Sequence, residues 1–404
     1  MYKKINCSIS KKYLFIYYLF TFLGFYASIL LFASFASLET SRLLTIPIRL
    51  VLAFTLIVLF LKNIRQLHFS KMQLSFLVFS IFYIIRILID YSNEVYYYTS
   101  YPIVLGYFIS FSFLPFIILS SIKITKNDLD YIFNAFLIGG IAFSILCLVY
   151  YGKFIGQVSR LSSTTADEDT LSPLALSYCS SLIIGVFSFY LLHNSVEWKK
   201  KFIMISCILL SFVPFFLGAS RGSLMTLIGV FIFYILVGKG AKFFLKSLVI
   251  LVFFVVGIVF LDNYLGSGLL DRFLSTSEQI DSGASGAIRI VIWENAFNQF
   301  LDNPFFGDSL RVVGWRGYAH NLFIEVLQTT GLFGFIPLFI LIYYVFKVCF
   351  YIGKNNKEYF WVVAIFIQSF VQQLFSGAIY TASWMWSSMG LVLVLYSFLK
   401  KDVR

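Results

Sequence analysis

Residues 322–350 read LFIEVLQTTGLFGFIPLFILIYYVFKVCF, and this run decides the fold. It is 29 residues long and carries only two charged side chains, Glu325 and Lys347. About 20 apolar residues are enough to cross the hydrocarbon core of a bilayer as a helix, because a backbone in lipid must satisfy its own hydrogen bonds. The run therefore predicts a transmembrane helix.

Eleven more runs of this kind lie on either side of it. They cover 14–37, 43–61, 73–90, 103–121, 129–151, 172–192, 202–217, 221–238, 243–264, 360–378 and 380–399. The chain is 60% hydrophobic and only 12% charged, so it has too little polar surface to cover a water-soluble globule of 404 residues. We predict an all-α polytopic integral membrane bundle of about twelve transmembrane helices, forming a single domain over 1–404.

The basic residues set the predicted topology. Of the 31 Lys and Arg residues, 21 fall in alternate loops and at the two ends of the chain, which predicts that both termini are cytoplasmic. The longest stretch between runs, 265–320, is then one large exported loop. A net charge of +12 could suggest nucleic acid, but these charges are spread between apolar runs rather than clustered on one face. We expect no nucleic-acid partner.

The predicted exported charge is mostly arginine, whereas the cytoplasmic charge is mostly lysine. The exported set is Arg42, Arg49, Arg86, Lys153, Arg160, Arg221, Arg272, Arg289, Arg311 and Arg316. A guanidinium group grips phosphate oxygens with two parallel hydrogen bonds and keeps its charge, so this set favours a phosphate-bearing substrate. The alternative is that these side chains only reach lipid headgroups from helix ends.

A tight turn, Gly218–Ser223, separates two of the apolar runs. Ser220 is a good N-cap residue, and the free N–H groups of the helix that follows form an anion site to which Arg221 adds a full charge. A capped helix with one interfacial arginine would need no function, which is the alternative. Burying Arg221 without a partner would cost roughly 3 kcal/mol.

Within the long loop, residues 286–302 have the periodicity of an amphipathic helix. Its apolar face holds Ile290, Trp293, Phe297, Phe300 and Leu301, and its polar face holds Glu294, Asn295, Asn298, Gln299 and Asp302. Such a helix lies on the membrane or caps the bundle. Arg289 at its start flanks the apolar stripe, so it points to the membrane surface or into the bundle; the alternative is a solvated arginine.

Residues 318–325, YAHNLFIE, lead into the run that decides the fold. His320 is the only histidine on the predicted exported side, and an imidazole at a helix entrance beside arginines is suited to accept a proton from a sugar hydroxyl. Asn321 and Glu325 share a helix face, so Glu325 is expected to orient a partner or neutralise an arginine. A lone histidine does not support a zinc site, and we predict no metal and no cofactor. A structural histidine is the alternative.

Two weaker patterns accompany these sites. Asp167-Glu168-Asp169 has a spacing that could hold a metal, although a solvated acidic loop explains it more simply. The tyrosines at 91, 96, 97, 98 and 101 could stack on sugars, but an interfacial aromatic belt is the simpler interpretation. No ATP-binding glycine loop is present, so a transferase on the exported face would need a donor that is already activated, such as a lipid-linked sugar pyrophosphate.

Taken in order, these sites resemble the bacterial O-antigen polymerase and O-antigen ligase superfamily. The resemblance rests on Ser220-Arg221-Gly222, on the segment from Arg289 through Trp293 to Asn303-Pro304-Phe305-Phe306-Gly307, and on His320-Asn321 with Glu325 and the Gly331/Gly334 pair. It implies a C-type glycosyltransferase fold in the bacterial inner membrane, with metal-independent, inverting transfer of a glycan from undecaprenyl pyrophosphate on the periplasmic face.

The resemblance also implies roles for single residues. Arg221 and Arg289 match arginines that clamp the pyrophosphate, and His320 matches the proposed base or acceptor-positioning group. Arg160 looks like a further family arginine, and Ser220, Tyr318, Asn321 and Glu325 are expected to bind substrate. Asp167-Glu168-Asp169 departs from the family pattern. The expected partners are the lipid-linked oligosaccharide, membrane lipid, a chain-length regulator and a flippase.

Three functions remain open from the sequence. The first is a polymerase of lipid-linked repeat units, and its close alternative is a ligase that passes a finished glycan to a lipid A core. The third is a non-enzymatic carrier of the same lipid. A carrier should show broken helices, internal repeats and polar residues at the membrane midplane, whereas the sequence shows no convincing repeat and its polar residues gather at the predicted exported boundary.

Overall fold

The computed structural model describes residues 2–33, 38–64, 70–155, 157, 161, 171–238, 240–274 and 285–401. This part of the chain is mostly helical and contains no β-strand. The α-helices, in chain order, are α1 Tyr2–Thr21, α2 Leu23–Ala33, α3 Leu38–Asn63, α4 Lys71–Ser92, α5 Tyr101–Tyr107, α6 Leu114–Ser121, α7 Lys126–Tyr151, α8 Pro173–His193, α9 Trp198–Gly218, α10 Arg221–Val237, α11 Ala241–Leu265, α12 Leu269–Leu274, α13 Ser285–Asp302, α14 Leu322–Asn355, α15 Phe360–Phe375 and α16 Ser383–Lys401.

Each apolar run of the sequence coincides largely with a helix or with consecutive helices. Seven spans among the described residues are long and apolar enough to cross a membrane, and an eighth is possible if α1 and α2, bent by 64° to each other, form one span. The protein is therefore an all-helical polytopic membrane protein. The count of about twelve spans and the inward position of the termini stay predictions.

The chain divides into two compact units. The first comprises Met1–Arg65, Lys123–Phe273 and Tyr351–Gln368, and the second comprises Gln66–Ile122, Leu274–Phe350 and Ser369–Arg404. In the first unit, Phe215 and Phe216 at the end of α9 are fully buried together with Leu227 of α10. In the second, Trp386 of α16 is fully buried against Phe76 of α4 and Phe116 of α6.

The helix predicted from the opening run is broken at Gly331. Its φ of +57° and ψ of −159° lie outside the helical region, so α14 consists of two helical segments that meet there. Residues 304–310, called the plug below, pack into the break. Their backbone makes hydrogen bonds across it: Leu332 N to Pro304 O (2.8 Å), Phe333 N to Phe305 O (3.1 Å) and Asp308 N to Gln328 O (2.8 Å).

Arg86 completes this arrangement from α4. Its Nε donates to the carbonyl of Thr329 (3.1 Å), and its Nη2 donates to the carbonyls of Phe306 (3.1 Å) and Gly307 (2.8 Å). Asp90, one turn further along α4, accepts from the N–H of Leu310 (2.7 Å) and lies 3.7 Å from the Arg86 guanidinium. A break in a membrane helix needs new partners for its backbone groups, and the plug and Arg86 supply them.

The helix predicted over 286–302 is present as α13. Phe297 and Leu301 of its predicted apolar face are 45% and 56% exposed, which is compatible with a helix that lies on the membrane, and this placement stays a prediction. Gln299 of the predicted polar face is buried, and its side chain hydrogen-bonds to Asp308, Ser309, Arg311 and Val313. The loop that follows α13 thus covers part of the polar face.

Candidate active site

His320 stands immediately before α14 in a strained backbone conformation. Its φ of +57° is unfavourable for a residue with a Cβ, and such strain persists only where the neighbouring residues are firmly held. The residue before it is held by Trp293 of α13, whose indole N–H donates to the carbonyl of Ala319 (2.8 Å). The backbone conformation therefore fixes the direction in which the His320 side chain leaves the main chain.

Asn321 and Arg289 are brought together by the end of α15. Asn321 Oδ1 caps α14 by accepting from the N–H groups of its second and third residues (3.1 and 3.2 Å), and its Nδ2 donates to the carbonyl of Leu374 (3.1 Å). Arg289 Nη1 donates to the next carbonyl, that of Phe375 (2.9 Å). Carbonyls at a helix C-terminus have no partner within the helix and attract cations. Two predicted site residues thus hold adjacent peptide groups.

Burial and charge keep His320 neutral. Burial, followed by the positive charge of Arg289, lowers the pKa of His320 from 6.5 to about 4. Its Nδ1 is buried and has no hydrogen-bond partner among the residues that the structure describes. A neutral imidazole has one nitrogen lone pair that can accept a proton. Arg289 is thus near enough to His320 to act on its charge state, and their action in one catalytic site stays a prediction.

Tyr318 packs against His320, with ring centroids 4.2 Å apart and ring planes tilted by 52°. Burial raises the pKa of the Tyr318 hydroxyl above its usual value; Tyr98 and Glu325 raise it further, and Arg289 opposes them. The phenol therefore stays protonated at neutral pH and can donate or accept a hydrogen bond. Tyr318, predicted to bind substrate, lies in the same cluster as the imidazole and the guanidinium.

Glu325 is one of the least exposed charged residues described, at 2%. Its Oε1 accepts from the N–H of Ile379 (3.1 Å), while its Oε2 has no hydrogen-bond partner within the described ranges. The carbonyl of Ile379 in turn accepts from the Ser112 hydroxyl (2.9 Å) and the Trp386 indole (3.2 Å). Glu325 thus holds the segment that follows α15 through Ile379, and its expected role in the site stays a prediction.

The residues of the predicted first site lie in the other unit. Ser220 occupies the N-cap position of α10, but its side chain makes no capping hydrogen bond, so that part of the prediction was wrong. Its carbonyl instead accepts from the Ser223 hydroxyl (2.7 Å). Arg221 is the first residue of α10 and is partly buried. Its convergence with Arg289 and His320 stays a prediction.

Two predicted features fall outside the described residues. These are Arg160, expected to contribute to the binding site, and the acidic stretch Asp167-Glu168-Asp169. Their roles remain predictions from the sequence.

Four contributors were missed or misjudged by sequence reasoning. Arg86 was grouped with phosphate-binding candidates, yet its guanidinium is used on backbone carbonyls of the plug. Gln299 and Trp293 were assigned only to faces of α13, and Tyr380 was not considered. The ionisable pair Arg86 and Asp90 within an apolar run was the one available signal, because such residues in membrane helices need a partner.

A comparison with protein families gives a match that overlaps this region. A family model described as O-antigen ligase matches residues 205–339, about a third of the chain. The matched segment runs from α9 into α14 and includes Arg221, Arg289, His320 and Glu325. No curated protein matches the chain. The match confirms, over residues 205–339, the predicted resemblance to the O-antigen polymerase and ligase superfamily.

Proposed function

We propose that this protein is a polymerase of lipid-linked oligosaccharide repeat units on the exported face of the bacterial inner membrane. The bond between the anomeric carbon and the diphosphate of undecaprenyl pyrophosphate breaks, and a glycosidic bond to an acceptor hydroxyl forms. The lipid diphosphate leaves with the bonding electrons, and the proton of the acceptor hydroxyl passes to His320. No oxidant, reductant or nucleotide is required.

The observation that carries this proposal is the position of Arg289 beside His320. The two side chains interact electrostatically, and Arg289 and the neighbour of His320 hold successive carbonyls of one helix end. Of the five N–H donors of a guanidinium group, one nitrogen of Arg289 binds Phe375, and the side chain is exposed. Its remaining donors suit a diphosphate, whose charge grows as the bond to sugar breaks.

The low pKa of His320 fits this order of events. With a pKa of about 4, the imidazole is neutral in the free protein but is a weak base. A bound diphosphate would bring negative charge close to it and offset the positive charge of Arg289, which raises the pKa of the imidazole. His320 then becomes a stronger base when the donor is in place.

A ligase is the second candidate, because the matching family model carries the description O-antigen ligase. The ligase would use the same donor, leaving group and base, and would differ in the acceptor. Purified protein in lipid nanodiscs, supplied with a defined lipid-pyrophosphate oligosaccharide, separates the two. A ladder of products indicates a polymerase, and a single product on a different lipid acceptor indicates a ligase. A donor that stays unchanged, both alone and with an added lipid acceptor, would overturn the transferase proposal.

His320→Ala tests the base in the same assay. We expect product formation to fall by about 100-fold or more, the range of a lost general base, while the protein still folds. His193→Ala is the matched control, because His193 ends α8 in the other unit and has no assigned role in transfer. Chain growth that persists in His320→Ala at the wild-type rate would remove the imidazole from the reaction.

A further inference from the structure

The tyrosines between α4 and α5 divide into two kinds. Tyr96 is 57% exposed and fits the interfacial belt expected from the sequence. Tyr98, two residues later, is built into the second unit: its hydroxyl shares a 2.6 Å hydrogen bond with that of Tyr380, and its ring lies 6.3 Å from the ring of Tyr318. A belt residue needs neither contact.

Tyr98 is also tied to the loop that leads into His320. Its backbone N–H donates to the carbonyl of Arg316 (3.2 Å). Gly317 lies between the rings of Tyr98 and Trp315, so closely that an added Cβ would stand 3.4 Å from one and 3.2 Å from the other. Tyr98 and Trp315 remain 51% and 40% exposed. Together with Tyr318 they form what we call the aromatic platform.

His320 has both the aromatic platform and Arg289 as neighbours. Its imidazole packs against the ring of Tyr318, with centroids 4.2 Å apart and planes tilted by 52°, and it experiences the positive charge of Arg289. The ring of Tyr318 lies 6.4 Å from that of Tyr380, whose hydroxyl shares a hydrogen bond with that of Tyr98. The imidazole is thus close to a cation and also to aromatic rings that carry hydroxyl groups.

These two kinds of group suit different parts of a glycosyl transfer. A diphosphate needs cationic donors, whereas a sugar ring presents C–H groups that pack on aromatic faces and hydroxyls that bond to polar tips. We propose that the aromatic platform of Tyr98, Trp315 and Tyr318 binds the sugar ring of the acceptor and presents its hydroxyl to His320. This inference rests on the proposed function and assigns the acceptor a site distinct from that of the donor diphosphate.

Kinetics with a soluble acceptor test the platform. The acceptor is the oligosaccharide freed from its lipid diphosphate by mild acid, and its concentration is varied at saturating lipid-linked donor. For Tyr98→Ala we expect the acceptor KM to rise about tenfold, the equivalent of one lost aromatic contact, with the donor KM unchanged. Tyr98→Phe keeps the ring and should change the acceptor KM by less than about threefold. Tyr96→Ala, in the same loop, should match the wild type.

Other results would overturn the inference. If the acceptor KM of Tyr98→Ala equals that of Tyr96→Ala, Tyr98 is an interfacial belt residue and does not bind the acceptor. A donor KM that rises as much as the acceptor KM would place the ring at the donor site.

Saturation-transfer NMR with the same free oligosaccharide separates failure of the platform from failure of the proposed function. Suppose that the wild-type protein binds the sugar but transfers nothing, and that Tyr98→Ala no longer binds it. This result would uphold the platform and refute the transferase proposal. If the wild type transfers the glycan and Tyr98→Ala binds the sugar as the wild type does, the transferase proposal stands and the platform is refuted.

Discussion

Replacing Arg86 tests how the broken helix α14 is held. Its side chain is 12% exposed and makes hydrogen bonds to the carbonyls of Thr329, Phe306 and Gly307, with Asp90 only 2% exposed beside it. A hydrogen bond from a charged group contributes about 1.5–3 kcal/mol, and breaking a buried pair costs roughly 3–5 kcal/mol. The carbonyl of Phe306 can regain water, since that contact is exposed. We therefore expect Arg86→Met to lower the free energy of unfolding by about 3 kcal/mol.

The assay is equilibrium unfolding in lipid–detergent micelles by titration with SDS. Arg316→Met is the matched control, because Arg316 is exposed in the same unit, and a surface substitution should change stability by less than about 0.5 kcal/mol. Arg86→Lys keeps the charge but loses the planar fork that reaches several carbonyls at once, so we expect an intermediate loss. Equal stability of Arg86→Met and Arg316→Met would refute the reasoning. Full rescue by lysine would show that charge alone matters.

Two further predictions concern His320 and the break itself. Because the imidazole must be neutral to accept a proton, kcat/KM should fall as the pH falls through the pKa of about 4; Arg289→Met removes a neighbouring positive charge and should move this limb to higher pH. A limb near pH 6.5 in the wild type, or one that Arg289→Met leaves in place, would contradict the assignment. Gly331→Ala should cost more than about 2 kcal/mol, since φ is +57° and a Cβ would meet the Phe305 carbonyl and Gly307 N. Gly257→Ala in α11, where a Cβ meets open space, should be close to neutral in the same titration.

The sequence predicts the helices well because the bilayer leaves the backbone few choices. A long apolar segment must satisfy its own N–H and C=O groups, so each run becomes helical whatever it packs against. The break at Gly331 was not predicted, because it depends on contacts with a distant segment of the chain. It exists only because residues 304–310 supply partners for the freed backbone groups, and no local pattern shows that a segment more than 20 residues earlier in the chain will do so.

The same distinction between local pattern and distant contacts applies to the residues of the candidate site. His320 and Asn321 were singled out because their residue types carry recognisable chemistry at a helix end, whereas Trp293 was assigned only to a face of α13. The contribution of Tyr98 depends on Tyr380, 282 residues away, and that of Arg86 on carbonyls more than 200 residues away. Backbone carbonyls have no sequence signature, so an arginine that binds them looks the same in the sequence as one that binds phosphate.

The pair Arg86 and Asp90 shows which signal deserved more weight. Each would be costly in a membrane helix without a partner, so their presence one turn apart in an apolar run already implied contacts made elsewhere in the fold. The structure supplies those contacts at the plug, which continues into the loop that carries Trp315, Tyr318 and His320. A substitution at Arg86 should therefore disturb the imidazole as well as the stability. If Arg86→Met unfolds more easily yet keeps the acid limb of the wild type, the plug stabilises α14 without positioning His320.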